Sequence, residues 1–337
     1  MTTNTTIQQK IKKDIARLDE CSSVSLDEHG SWPESVHQFD ETSINALKTA
    51  LASRRPLLLR GDPGTGKSQL ARAAAVALNR LFVYEVVNSQ TESQDLLWRF
   101  DAVGRLAEAQ SLAAGTTEKE RKRLLDTRRY ACPGPLWWAL CWETADEVYG
   151  GSQYQLARPE KPGNWGNVDG SVLLIDEVDK ANAELPNGLL EILGNNSVTI
   201  PWQENKAIGG KGNVPPLVIV TTNEERELPA AFVRRCLVLN LALPEEEKAF
   251  KQVMVERGRL HYKNECTVAV CEKAVDQLWE DRENARIRGV VNLPGQAEYL
   301  DLLRALSTLS QTESDQLDWL GKIGQFTFQK YPVKHGR

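Results

Sequence analysis

The sequence predicts an α/β protein in which a three-layer αβα domain around a parallel sheet is followed by a small all-α domain. Three observations lead there. First, Gly61-Asp62-Pro63-Gly64-Thr65-Gly66-Lys67-Ser68 stands between the apolar run Leu57 to Leu59 and an Ala-rich helical stretch, Gln69 to Asn79. A strand must deliver such a loop and a helix must leave it, so that backbone N–H groups and the helix N-terminus face phosphate. Second, apolar runs recur downstream between helical patterns, as strands of a parallel sheet covered on both faces require. Third, beyond Pro244 the pattern changes to helices with charged faces.

Residues 1–38 are polar and mixed, with one helix expected over Ile7 to Leu18 and a loop around Gly30 to Pro33. A helix over Thr42 to Ser53 precedes the first strand. The second strand, Leu81 to Asn88, is rich in Val, Phe and Tyr and ends in polar residues. The third is Val172 to Ile175, the fourth Leu217 to Thr222 and the fifth Leu237 to Leu241. More than eighty residues separate the second strand from the third, longer than an ordinary crossover, so an insertion over about 100–168 is expected. It contains the basic stretch Lys119 to Arg129, then Cys132 to Trp138, then the Gly/Pro-rich segment Gly150 to Gly170. Glu118, Glu120 and Asp126 interleave with the cations, the pattern of a solvated helical face with i,i+4 pairs; a docking surface is the sharper alternative. Trp137, Trp138, Trp142 and Trp165 are expected in packed core rather than on a partner-binding surface. Helices over Glu245 to Gly258, Thr267 to Asn284 and Ala297 to Leu309 form the all-α part. The resulting boundaries are 1–38 (leader or helix), 39–243 (αβα domain), 244–312 (helical domain) and 313–337 (tail).

The 337 residues are 41% hydrophobic, ample for a core, and carry a formal charge of −5. That acidic balance, with a pI of about 5.6, disfavours nucleic acid as the main partner. No apolar run reaches the ~18 residues that span a bilayer, and Met1 to Lys13 lacks the apolar segment of a secretory signal. The six cysteines include no C-x-x-C pair, and Cys236 and Cys271 sit in apolar runs. Reduced thiols in a cytoplasmic protein are the expectation, and a zinc site is disfavoured because the four histidines lie far from the cysteines in sequence.

The chemistry concentrates at strand ends. Gly61, Gly64 and Gly66 permit backbone approach that a Cβ forbids. Lys67 is expected to reach the β- and γ-phosphates of a nucleoside triphosphate, and the Ser68 hydroxyl to take one Mg²⁺ position. Val172 to Ile175 delivers Asp176 and Glu177 at its C-terminal end, where open parallel sheets place ligands. Neighbouring side chains alternate along a strand, so the two carboxylates take different roles: Asp176 on the metal, Glu177 polarising the attacking water. Asn223 follows the fourth strand, where its amide can bond both γ-phosphate and water. Arg234 and Arg235 suit a charge clamp on the transferring phosphoryl group, given by a neighbouring subunit.

These residues together resemble the AAA+ ATPases of the MoxR type. The resemblance rests on the Gly61–Ser68 loop, Ile175-Asp176-Glu177-Val178-Asp179-Lys180-Ala181, Thr222 to Pro229 ending in Arg234-Arg235-Cys236, and Pro133-Gly134-Pro135-Leu136. It covers about residues 40–310 and implies a P-loop NTPase three-layer αβα domain with a parallel sheet, followed by a small all-α AAA+ lid domain. It implies ATP and Mg²⁺ as cofactors, with Gly61, Asp62, Pro63, Gly64, Thr65, Gly66, Lys67, Ser68 and Gln69 around the phosphates. Ser68 and Asp176 become the metal residues. Glu177 becomes the catalytic glutamate, Asn223 sensor 1, Arg235 or Arg234 the finger, and Asn88 the residue that hydrogen-bonds and gates Glu177. The stretch Ser197 to Gly210 falls where the family carries a pre-sensor-1 hairpin; Trp202 and the lysines around Gly210 are candidates to face a pore, an exposed hairpin without that role being the alternative. One departure stands out: the sensor 2 arginine is missing, the matching stretch reading Leu293-Pro294-Gly295-Gln296-Ala297, so that either Arg288 substitutes or other contacts serve.

The resemblance further implies a homo-oligomer, a hexameric ring, which remodels or matures a protein partner, commonly one with a von Willebrand A domain, and a place in stress or conflict systems. Two other classes remain open: a GTP- or ATP-driven nucleic-acid motor of the restriction type, and a nucleotide-gated scaffold with little turnover.

Overall fold

The structure, a computed structural model, describes residues 2–30, 32–112, 116–195, 197–202, 206–209, 213–290 and 293–328. These fall into two compact units. The larger takes 1–24, 38–59 and 68–239; the smaller takes 25–37, 60–67 and 240–337.

A five-stranded sheet organises the larger unit: β1 (Leu57–Arg60), β2 (Leu81–Val86), β3 (Ser171–Asp176), β4 (Leu217–Thr221) and β5 (Leu237–Asn240), in spatial order β5-β1-β4-β3-β2. β4 pairs in parallel with β1, Ile219 opposite Leu57, and with β3, Leu217 opposite Val172; β3 pairs in parallel with β2. The expected strands are thus the observed ones, each within two residues at its ends. Every residue of β3 and β4 is buried, so both faces of the middle of the sheet are covered. The helix Lys67–Leu78 follows β1 after the glycine-rich loop, and Leu70, Ala71, Ala73, Ala74 and Leu78 are buried along it.

The insertion is packed structure. Trp98–Phe100 pairs antiparallel with Ala131–Pro133, and the helices Pro135–Leu140 and Trp142–Gly151 place Trp137, Trp138 and Trp142 in the main core. Trp137 donates its indole N–H to Thr144 Oγ1 at 2.9 Å, and Trp138 and Trp142 pack with centroids 4.7 Å apart. Half-buried Trp165 meets Trp142 edge-on and donates to the Gly170 carbonyl. The basic stretch forms a short exposed helix, Glu118–Leu124, in which Lys122 pairs with Glu118. The hairpin expected after the third strand is present as Ser197–Ile200 against Lys206–Gly209, and Trp202 turns inward onto Trp98 and Trp137. Gly210 and the adjacent Lys211 lie outside the described residues.

The helix Thr2–Glu20 runs longer than the sequence pattern shows, and it is docked. Its Asp14 is fully buried and accepts from Arg80 Nη2 (2.8 Å) and Nε (3.2 Å), while Lys10 adds a bond of 2.8 Å. Arg80 is 1% exposed and also donates to the carbonyls of Ser171 and Pro215. Burial pushes its guanidinium below the ordinary arginine value, and Asp14 opposes that shift.

In the smaller unit, helices Glu247–Tyr262, Val268–Ile287 and Gln296–Leu309 occupy the expected places. The residues beyond 312, expected as a tail, contain a fourth helix, Glu313–Phe328, whose Leu320 and Phe328 share the core of Phe250, Leu278 and Tyr299. Its apolar residues are spread thinly enough between Glu, Asp, Gln and Gly to read as a polar end. Among the described residues no helix is long and apolar enough to cross a membrane.

Removing one partner of a buried ion pair leaves a charge without compensation, at a cost of ~3–5 kcal/mol. Asp14→Ala is therefore expected to lower the urea-unfolding free energy by about that amount. Asp14→Leu combined with Arg80→Met recovers most of the loss, since paired apolar side chains of similar volume replace such pairs well. An Asp14→Ala protein as stable as the parent would show that the first helix contributes nothing to the unit.

Candidate active site

The carboxyl ends of β1, β3 and β4 carry the chemistry, as the sheet topology requires. At the end of β3, Asp176 is 9% exposed and its carboxylate receives the Ser68 hydroxyl at 2.9 Å (Oδ1) and 2.8 Å (Oδ2). Thr221, ending β4, donates its hydroxyl to Asp176 Oδ1 and accepts the Glu177 backbone N–H at 2.8 Å. Two neighbouring strands are thereby tied at the point where both carboxylates emerge.

Glu177 adopts a left-handed backbone (φ 58°), unusual for a residue with a side chain and confined mostly to functional turns. Its Oε1 accepts from Asn223 Nδ2 at 3.0 Å and its Oε2 from Lys180 Nζ at 2.7 Å. That bond holds the Lys180 ammonium above the ordinary lysine value. Asp179, 2% exposed, accepts the backbone N–H groups of Asn223 (3.2 Å) and Glu225 (2.9 Å), fixing the turn that presents the Asn223 amide. The sequence gives Thr221, Asp179 and Lys180 no role of their own. The Glu177–Lys180 spacing of three was a visible signal, whereas Asp179 looks like an ordinary turn acid until β3 and β4 are side by side.

Asn88 is placed differently from expectation. It is exposed beyond β2, and its Oδ1 accepts from Gln90 N–H at 2.8 Å, closing its own turn. The carboxylate it was expected to hold is bonded by Asn223 and Lys180 instead. That bond from the backbone two residues on fixes the Asn88 side chain within its own turn rather than across the strand end.

The glycine-rich loop has Gly61, Gly64 and Gly66 at φ of 139°, 77° and 93°. A Cβ on Gly61 would stand 2.2 Å from the Leu241 carbonyl oxygen, and one on Gly64 would stand 2.8 Å from Ala297 Cβ. Lys67 is buried and donates to the carbonyls of Gly61 (2.6 Å) and Asp62 (2.8 Å); Thr65 Oγ1 donates to the same Asp62 carbonyl at 2.9 Å. Asp62 and Pro63 are exposed, and Gln69 is half-buried on the helix that begins at Lys67. The loop thus presents a backbone cradle and an ammonium, which fit phosphate, and Ser68 with Asp176 presents a pair of hard oxygen groups, which fit Mg²⁺.

Arg234 and Arg235 are exposed at the end of the short helix Ala230–Val233. Arg55 donates to the carbonyls of Arg234 (2.7 Å), Arg235 (3.1 Å) and Cys236 (3.0 Å), so that turn is braced from beneath. Arg54, Arg55, Arg234 and Arg235 together line a cleft of about 440 Å³. The exposed Arg288 caps the helix Val268–Ile287; the arginine of that helix that lies against the glycine-rich loop is Arg282, which the sequence reading passed over.

A parallel sheet with these groups at its carboxyl edge defines a P-loop nucleoside triphosphatase fold. Residues 56–236, more than half of the chain, match the AAA domain (dynein-related subfamily), and the chain belongs to that family. Among solved structures, a Cytophaga hutchinsonii protein assigned as an ATPase matches at 14% identity, covering 95% of this chain and 86% of its own, with a TM-score of 0.39. Thermotoga maritima RuvB matches as a P216G mutant at 15% identity over 84% of this chain and 69% of that one, TM-score 0.44.

Losing Asp179 leaves two backbone donors without their acceptor, worth ~1–3 kcal/mol. Asp179→Ala is expected to lower the melting temperature. Misplacing Asn223 is expected to slow hydrolysis about tenfold or more while nucleotide affinity stays within about threefold. Steady-state kinetics and a fluorescent-nucleotide titration check this; an unchanged kcat would show that the turn has no bearing on hydrolysis.

Proposed function

We propose that this chain is a Mg²⁺-dependent ATPase of the MoxR type that works as a ring, a hexamer, to remodel or mature a protein partner. The observation that carries the reading is the constellation at the strand ends: Ser68 on Asp176, with Glu177 held between Asn223 and Lys180.

The loop from Gly61 to Gln69 would hold the phosphates through its backbone N–H groups and Lys67, which exchanges its loop carbonyls for phosphate oxygens. Ser68 and Asp176 would hold Mg²⁺, which when bound neutralises charge on the phosphates. Glu177 accepts a proton from water, and the Asn223 amide, already hydrogen-bonded to Glu177, orients that water. Lys180 holds Oε2 of Glu177 through a 2.7 Å bond, which fixes the carboxylate's direction. Arg235, with Arg234, acts in trans: both are exposed, and Arg55 braces the turn that bears them. A finger given by a neighbour makes assembly a condition of turnover. The protein partner, for which a separate von Willebrand A domain protein is the family precedent, would be worked on by nucleotide-driven domain shifts. A cytoplasmic site of action follows from the same resemblance.

Hydrolysis of ATP and GTP across a protein-concentration series tests the reading, with Glu177→Gln and Arg235→Ala alongside. Turnover per protomer is expected to rise with concentration and to prefer ATP. Each variant alone is expected to lose at least ~100-fold, and a mixture of the two to regain part of the activity. Flat or negligible turnover would favour a nucleotide-gated scaffold; GTP selectivity with stimulation by DNA would favour a nucleic-acid motor.

A further inference from the structure

Arg282 sits on the helix Val268–Ile287 and is 7% exposed. Its surroundings serve a guanidinium poorly. Nη1 donates to the Pro294 carbonyl at 2.7 Å, Nη2 lies 3.9 Å from Asp62 Oδ2, and buried Nε has no hydrogen-bond acceptor among the described residues. The plane lies over the Phe250 ring, 5.5 Å from its centroid, which supplies part of the missing attraction. Burial lowers its proton affinity and Asp62 is the largest opposing influence. A buried cation whose donors are only partly used is costly, so its few contacts hold it where it is.

Its two outward contacts indicate what depends on it. Asp62 is the second residue of the glycine-rich loop. Pro294 immediately precedes Gly295, the N-cap of the helix Gln296–Leu309, and the first turn of that helix places Ala297 against Gly64. Gln296, buried, accepts from Arg257 and fixes the same turn. The loop residues 60–67 and these helices belong to one compact unit. We infer that Arg282 is the positioning residue that fastens the phosphate loop to the first turn of Gln296–Leu309, and that through it nucleotide occupancy is felt by the helical segment despite the missing arginine at Gln296 or Ala297. The inference rests on the nucleotide-binding reading given above. A polyphosphate in the loop adds negative charge beside Asp62, so Arg282 faces a stronger anionic partner when nucleotide is bound than when it is absent. Coupling of this kind is reciprocal: what the nucleotide does to the clamp, the clamp does to nucleotide affinity.

The test combines a nucleotide titration with amide hydrogen exchange on the full-length protein, for Arg282→Ala, Arg282→Lys, Asp62→Asn and the Arg282→Ala/Asp62→Asn double variant. Arg282→Ala is expected to weaken binding of a fluorescent ATP analogue at least tenfold and to speed exchange in Gly61 to Lys67 and Gln296 to Tyr299 without nucleotide. Lysine keeps the charge but loses the fork and the ring stacking, so it should fall between. The double variant should be no weaker than Arg282→Ala alone, because both changes cut one link. Far-UV circular dichroism and melting screen out unfolded variants, and Arg282→Lys keeps the test alive if alanine does not fold. Affinity within twofold of the parent, with unchanged exchange in both segments, would overturn the inference. If the parent itself binds no nucleotide, the ATPase reading fails, while faster exchange in Arg282→Ala would still support the clamp and unchanged exchange would refute it.

Discussion

The bond between the Ser68 hydroxyl and the Asp176 carboxylate is the constraint around which the larger unit is arranged. It joins the first turn of the helix after β1 to the end of β3, two strands away across β4. For those groups to meet, β4 must lie between the two with its register fixed, and Thr221 at its end must bond both Asp176 and the Glu177 backbone. The fully apolar, buried interiors of β3 and β4 hold that register, because both faces of the strands are covered. Polar groups buried at the edge of such a core need complete partners, and here each partner is itself a site residue.

Around this point the carboxylates are differentiated by their neighbours rather than by position alone. Asp176 faces hydroxyls, which suits exchange for a hard cation. Glu177 faces an amide and an ammonium on a strained left-handed turn, which suits a base whose readiness depends on which partner it keeps. Asp179 has neither role: it is buried on backbone N–H groups and holds the loop that delivers Asn223.

The central sheet and the glycine-rich loop were legible in the sequence because both are local. Five apolar runs set the strands, and a loop needing three positive-φ positions announces itself through Gly61, Gly64 and Gly66. The positions of Asp176, Glu177 and Asn223 at strand ends were legible from the apolar runs that precede them. What escaped depends on contacts between distant segments. Asn88 follows β2 as expected in sequence, but its Oδ1 is taken by the Gln90 N–H of its own turn. The first helix was legible as a helix but not as a docked one, because its anchor Asp14 is a charged residue whose burial depends on Arg80 and Lys10. Arg282 read as one charge among many on a helix, and the last helix as a tail, since its buried residues are few and widely spaced.

The most direct test of the central claim is the Mg²⁺ dependence of nucleotide binding, measured by fluorescent ATP-analogue titration with and without the metal, for the parent and for Asp176→Asn. Mg²⁺ is expected to tighten binding by the parent about tenfold or more and to have little effect on Asp176→Asn, because a neutral amide in place of the carboxylate removes the charged oxygen beside Ser68. Equal Mg²⁺ enhancement in both proteins would contradict the account, since the metal would then be held without the residue on which the arrangement turns.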